Sequence, residues 1–197
     1  MLDIGCATGD FLELLSSTFK PLDLNGTDIA EEYLKAARSK VPRAKLKTDR
    51  IEVLNPDFIN NFDVITIFGV IQQFENPEAV IKNLATYLKP GGSALIFSQF
   101  NHYGIDVYIN YKYSGEKFPD DLQGGWVVHS LESLAKICET HSLEFNFTKF
   151  QVRSTIEPSV NPVRSWTTKP DESGIRQIVN GLGLIHNQGF ALLTKRH

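Results

Sequence analysis

With 197 residues, 42% of them hydrophobic and 22% charged, the chain has the size and composition of one soluble globular domain with its own core. Its net charge of −3, with no basic run, argues against a protein that grips nucleic acid by neutralising phosphates. Cys6 and Cys138 build neither a disulfide framework nor a zinc site, and no signal peptide or spanning apolar run is visible, so a reducing, cytoplasmic setting without membrane contact is expected.

Leu2 to Ile4 read as the end of a buried parallel strand, and Gly5 to Gly9 as a tight loop. Phe11, Leu12, Leu14 and Leu15 recur at helical spacing, so a helix opens near Asp10. Strand, loop and helix N-terminus together make a cradle: Gly5 and Gly9 permit positive φ, and the helix start offers free N–H groups. The loop is poor in basic residues, which speaks against a polyphosphate ligand. The dinucleotide fingerprint G-x-G-x-x-G, counted from Gly5, fails at Ala7 and Asp10. A βα turn without a ligand is the plain alternative.

Pro21 breaks the first helix, and residues 22–29 read as a second strand with Asp28 near its end. Asp28 lies about 20 residues past the loop, where open α/β folds place an acid that accepts hydrogen bonds from a ribose. Its alternative role is N-cap of a helix over 31–40. Residues 44–47 form a short third strand, followed by Thr48, Asp49, Arg50 and Ile51. The β-branched run from Phe62 to Phe68 is a fourth strand, leading into Gly69-Val70-Ile71-Gln72-Gln73. Pro77 suits the first turn of the next helix, whose apolar face is Val80, Ile81, Leu84 and Leu88. Lys89 to Gly92 stops that helix, and Ser93 to Gln99 is the fifth strand. Residues 100–128 then crowd Phe100, Tyr103, Tyr108, Tyr111, Tyr113, Phe118 and Trp126 between Gly and Pro breaks. Ser130 caps a helix carrying Leu131, Leu134, Ile137 and Cys138. Residues 144–153 alternate as a strand, 154–188 form a long excursion with a helical piece near 173–182, and 190–194 are the last strand. Alternating strands and helices predict an α/β fold with a doubly wound, Rossmann-like sheet.

Two stretches carry a family resemblance. LDIGCATG resembles motif I of the class I S-adenosylmethionine (SAM) dependent methyltransferases, an acid followed by G-x-G-x-G. The acid is Asp3 and the glycine positions are Gly5, Ala7 and Gly9, with Ala7 a departure. FDVITIFGVIQQFENPEAVIKNLATYLKPGG, residues 62–92, resembles the motif IV region of the small-molecule members. The likeness covers nearly the whole chain, closely to about residue 99 and loosely beyond.

The resemblance implies a seven-stranded sheet with the last strand antiparallel, in one domain over 1–197 that is short at its N-terminus. Inserts 100–128, an aromatic-rich lid, and 154–188 are then expected to cap the active site. It implies SAM as cofactor, held by Asp3, Gly5, Cys6, Ala7, Gly9, Asp28, Ile29, Asp49, Arg50, Phe68, Gly69 and Val70. No metal is expected. The partner is a small-molecule methyl acceptor, near Gln73, Tyr103, Trp126 and Arg164; the oligomeric state is left open. Many relatives carry histidine where this chain has Gln72 and Gln73, and glutamine orients but cannot act as a base. His102 and His129 are the candidate bases. The Asn/Asp-Pro-Pro-Tyr/Phe signature of adenine N-methyltransferases and the Pro-Cys of cytosine C5 enzymes are both missing after the fourth strand. A SAM-binding module without catalysis, acting as a partner or regulatory subunit, is the alternative function.

Overall fold

The structure is a computed structural model that describes residues 1–19, 22–157, 163, 166–180 and 184–196. Pro21 and Arg164 of the expectations above lie outside these residues. The chain alternates as β1 (Leu2–Ile4), α1 (Asp10–Thr18), β2 (Asn25–Asp28), α2 (Glu31–Lys40), β3 (Lys45–Thr48), β4 (Phe62–Phe68), α3 (Glu78–Tyr87) and β5 (Leu88–Asn101). Then come β6 (Val107–Tyr111), β7 (Gln123–Ser130), α4 (Leu131–Thr140), β8 (Leu143–Lys149), β9 (Trp166–Pro170), β10 (Arg176–Asn180), β11 (Ile185–His186) and β12 (Gln188–Lys195).

The sheet runs in the order β3-β2-β1-β4-β5-β12-β8. β1 to β5 pair in parallel, and β12 is antiparallel to both of its neighbours. The order reverses between β1 and β4, which makes the crevice outside their C-terminal ends the place for a ligand. The β6–β7 hairpin hangs from the end of β5 through Phe100↔His129 and Asn101↔Ser130. β9, β10 and β11 form a separate small antiparallel sheet.

Strand alternation sorts the sheet residues. Ile65, Ile67, Ala94, Ile96, Ala191 and Leu193 are buried in the main core with Val80, Ile81 and Leu84 of α3 and Leu134 and Cys138 of α4. Phe68, Phe97 and Phe190 share one row across β4, β5 and β12, with ring centroids 6.2 and 4.8 Å apart. On the same alternation Val64 and Leu192 are 43% and 40% exposed. A second core of Cys6, Leu12, Leu24, Leu34 and Val41 lies under α1 and α2. Acidic residues open α2 and Arg38 and Lys40 close it, matching its dipole. Ser130 caps α4 by accepting the Ser133 N–H at 3.0 Å, as the sequence predicts. Among the described residues no helix is long and apolar enough to cross a membrane.

One expected element changes type. The stretch expected to be helical near 173–182 instead supplies β10, while residues 181–183 lie outside the described set. The Asp171 carboxylate accepts the N–H groups of Ser173 and Ile175, each at 2.9 Å, and Gly174 takes φ +82°. That tight turn sends Ile178 and Val179 back against β9, where β-branched residues pack well. The other differences are shifts of strand ends. β2 begins at Asn25, β5 already at Leu88, and β8 stops at Lys149.

Gly26 marks where the first layers touch. A Cβ there would lie 2.8–2.9 Å from Leu12 Cδ1, Leu46 Cδ2 and Cys6 Sγ. Gly26→Ala should therefore lower unfolding stability by about 1–3 kcal/mol, read as a reduced midpoint in urea denaturation. An unchanged midpoint would show that these contacts relax freely.

Candidate active site

The glycine loop is fastened to the end of β2. Gly5 and Cys6 both donate N–H bonds to the Thr27 carbonyl, at 2.8 and 2.9 Å. Ala7 N–H donates to Asp28 Oδ2 at 2.9 Å, and Ala30 N–H to Asp28 Oδ1 at 2.9 Å. Asp28 thus shapes the strand exit and the loop together, and a carboxylate so used keeps further lone pairs for a ligand. Ile29 beside it is 71% exposed, which leaves an apolar side chain free at the strand exit.

Each glycine position has a local cause. A Cβ on Gly5 would fall 2.3 Å from Val70 Cγ2, so the loop lies directly against the residue that follows β4. Gly9 has φ +80° and approaches Ala37 of α2, where a Cβ would meet Ala37 Cβ at 3.0 Å. Ala7 itself sits at φ +44°, which costs an L-residue about 1–2 kcal/mol and explains why glycine is usual at this position. Cys6 is buried with its thiol pushed up to about 12 by desolvation, so it stays protonated.

Two further acids flank this region, Asp3 on β1 before the loop and Asp49 after β3. Asp3 is buried and receives the Thr66 hydroxyl at 2.7 Å. Desolvation raises its pKa to about 6 despite that bond, with the Asp28 charge adding to the rise. Asp49 follows β3, gives its N–H to the Asp28 carbonyl at 3.1 Å and accepts Asn55 Nδ2 at 3.1 Å. Arg50 points outward into an ion pair with Glu52, while Ile51 belongs to the core. Among the described residues neither Asp3 nor Asp28 has an ion-pair partner.

A cavity of about 410 Å³ opens where β4 and β5 end. Gly69, Gln72 and Gln73 line it from β4, Gln99 from β5, and Tyr111, Gly124, Gly125 and Trp126 from the hairpin. Val163 and His186 complete it from the later excursion. Gly69 has φ +70° and donates its N–H to the Phe97 carbonyl at 2.9 Å, while Phe68 packs on Phe11 at 5.0 Å between centroids. A larger cleft of about 500 Å³ beside Phe19, Leu22 and Val41 contains none of the motif residues.

Of the expected acceptor residues, Gln73 and Trp126 line the cavity, and Tyr103 stands 76% exposed outside its lining. Neither histidine singled out from the sequence is in the lining. His102 is exposed against Phe147. His129 is buried, depressed by desolvation, with Nε2 3.4 Å from the Ile71 carbonyl oxygen, so it braces the turn that carries Gln72 and Gln73. The sequence reading overlooked His186, Gln99 and Tyr111. Gln99 carried a usable signal, a polar residue at the C-terminal end of an apolar strand. His186 sits just before the reversed strand, stacked on Trp126 at 5.9 Å, and burial holds its pKa at about 4.

Residues 2–94 match the family model described as a methyltransferase domain. The chain is 31% identical over 144 residues to a malonyl-[acyl-carrier protein] O-methyltransferase of Priestia megaterium, covering 71% of this chain and 52% of that protein. It is 32% identical over 105 residues to a ubiquinone biosynthesis O-methyltransferase of Idiomarina loihiensis, covering 51% of this chain and 42% of the relative. Among solved structures, a SAM-dependent methyltransferase from Methanosarcina mazei superposes with a TM-score of 0.63 at 15% identity, over 99% of this chain and 91% of that one. The family-model match, these relatives and the fold together support a class I SAM-dependent methyltransferase. The chain spans about half the length of the curated relatives it matches.

SAM carries an ammonium and a sulfonium, an adenine and a ribose, and the site suits such a ligand. Two carboxylates without ion pairs, an exposed Ile29 and an open glycine loop lie within one loop-to-loop reach of each other.

Without ligand, Asp3 makes a pH signature. Its folded pKa of about 6 lies above the unfolded value of 3.8, so its stabilising contribution is full below pH 3.8 and is lost as pH rises through 6. Asp3→Asn should gain on the wild type as pH rises from 4 to 7, by up to about 3 kcal/mol. Urea denaturation at several pH values measures this; parallel pH profiles for the two proteins would contradict it.

Proposed function

We propose that this domain binds SAM at the glycine loop and directs its methyl group to an O, N or C nucleophile of a small molecule held in the adjoining cavity. One observation carries the reading: Gly69 lines the cavity while Val70, the next residue, touches the glycine loop at Gly5. A ligand on the loop and a ligand in the cavity would meet there. SAM supplies a methyl group activated by its sulfonium.

The chain's part is placement. Asp28 would accept the ribose hydroxyls on its remaining lone pairs, Asp49 the adenine amino group, and Ile29 and Arg50 would flank the ring. Asp3, Gly5, Cys6, Ala7 and Gly9 would hold the amino-acid end, with Phe68, Gly69 and Val70 closing the site toward the acceptor. Holding nucleophile and methyl carbon in line with the departing sulfur supplies about 7–11 kcal/mol. A positioned base adds about 10²–10⁴-fold, which is the smaller effect. His102 and His129 stand outside the cavity, so the reading rests on orientation and in-line displacement rather than on either as base. The segments 100–128 and 154–188 would cap the site and exclude water. The names of the malonyl-carrier and ubiquinone relatives favour a small-molecule acceptor.

Calorimetric titration with SAM and with S-adenosylhomocysteine tests the reading. Micromolar binding is expected, and Asp28→Ala should weaken it at least tenfold, about 1.4 kcal/mol, by leaving ribose hydroxyls unpaired. Absence of binding to the wild type would falsify the cofactor assignment, and unchanged affinity in the variant would reject the ribose role.

A further inference from the structure

Resting on that methyltransferase reading, we propose that the cavity takes a flat, uncharged ring whose edge carries a hydrogen-bond donor beside an acceptor. Gln99 is the residue that reads this edge. It lies two residues before the end of β5, and the residue is only 5% exposed. Its side chain lines the cavity, yet among the described residues its amide has no hydrogen-bond partner. An amide that opens into the cavity and bonds no other side chain is available to whatever occupies that space. An amide offers N–H donors and a carbonyl acceptor side by side, which matches an edge that does the same in reverse.

The neighbours narrow the choice. Ser98, itself 3% exposed, donates its hydroxyl to Gln72 Oε1 at 3.0 Å, so the Gln72 N–H groups are the ones left for other partners. The walls are flat: Trp126 stacks on His186 at 30°, and Tyr111 adds a second ring. The Trp126 indole N–H is buried without a partner, a further donor on the same wall. At Gly69 nothing lies within 4 Å of where a Cβ would be, which leaves room beside the β4 end. A carboxylate suits this lining badly. It accepts only, so it leaves the Gln99 oxygen unused, and no cation stands among the described lining residues to balance its charge.

The test uses ¹⁵N-labelled full-length chain and two probes, catechol and malonate, with and without S-adenosylhomocysteine. The readout is the indole signal of Trp126, assigned with Trp126→Phe. Catechol should shift that signal saturably with at least fivefold lower Kd than malonate. Gln99→Leu should weaken catechol at least fivefold and raise Tm, because it replaces an unbonded amide with an apolar group. A merely structural Gln99 would instead lose stability on substitution. Malonate binding as tightly as catechol, no saturable shift, retained catechol affinity in Gln99→Leu, or a lowered Tm in that variant would each overturn the proposal. Titration of the same samples with S-adenosylhomocysteine alone reports on the cofactor reading. Failure there with catechol still bound would reject only that reading.

Discussion

The Thr27 carbonyl takes N–H bonds from both Gly5 and Cys6, and the Asp28 carboxylate takes another from Ala7. Those three bonds fix where the loop after β1 stands relative to the end of β2. Gly26 makes them possible, since a side chain there would push Leu12, Leu46 and Cys6 apart. The rest of the site follows from that fixed loop. Gly5 can then approach Val70, and β4 delivers Gly69 to the same crevice. The glycine positions therefore serve packing first, and the ligand cradle is what that packing leaves open.

Two kinds of structure meet at the cavity. The frame is the parallel sheet, packed by α3 and α4 through a continuous apolar core. The cover is built from a hairpin and a small separate sheet, which share few apolar residues with that core. Precision at the cofactor end comes from backbone hydrogen bonds to strand termini. The cavity end is instead lined by side chains such as Gln99, Trp126 and His186. One half can thus be kept while the other varies, as expected where one cofactor serves many acceptors.

The legible parts of the sequence were those governed by short-range rules. Strand, glycine loop and helix start at residues 2–18, the β-branched run of β4 and the Ser130 cap all follow from local propensity and periodicity. The reversed last strand came from the family likeness, and its place between β5 and β8 bears that out. The cover was less legible. Residues 175–180 hold an apolar pattern compatible with either period, and the Asp171 turn decided it. Histidine invited attention at 102 and 129 because it titrates, yet the folded chain uses His129 as a backbone brace. His186 reaches the cavity only through the path of the excursion, which no local pattern encodes.

β12 has a consequence for how the molecule comes into being. Among the described residues β8 pairs with β12 and with no other strand, and β12 is the bridge between it and β5. On the ribosome, β1 through β5 can assemble in order of appearance, each new strand finding its neighbour in place. β8 emerges with no free strand edge of its own to join and must wait for residues 188–195. Until then the outer edge of β5 stays open and α4 has only part of its bed. Ala94 and Ile96 therefore gain their neighbours Leu193 and Ala191 only from the last strand of the chain, a pairing of high sequence separation of the kind that slows folding.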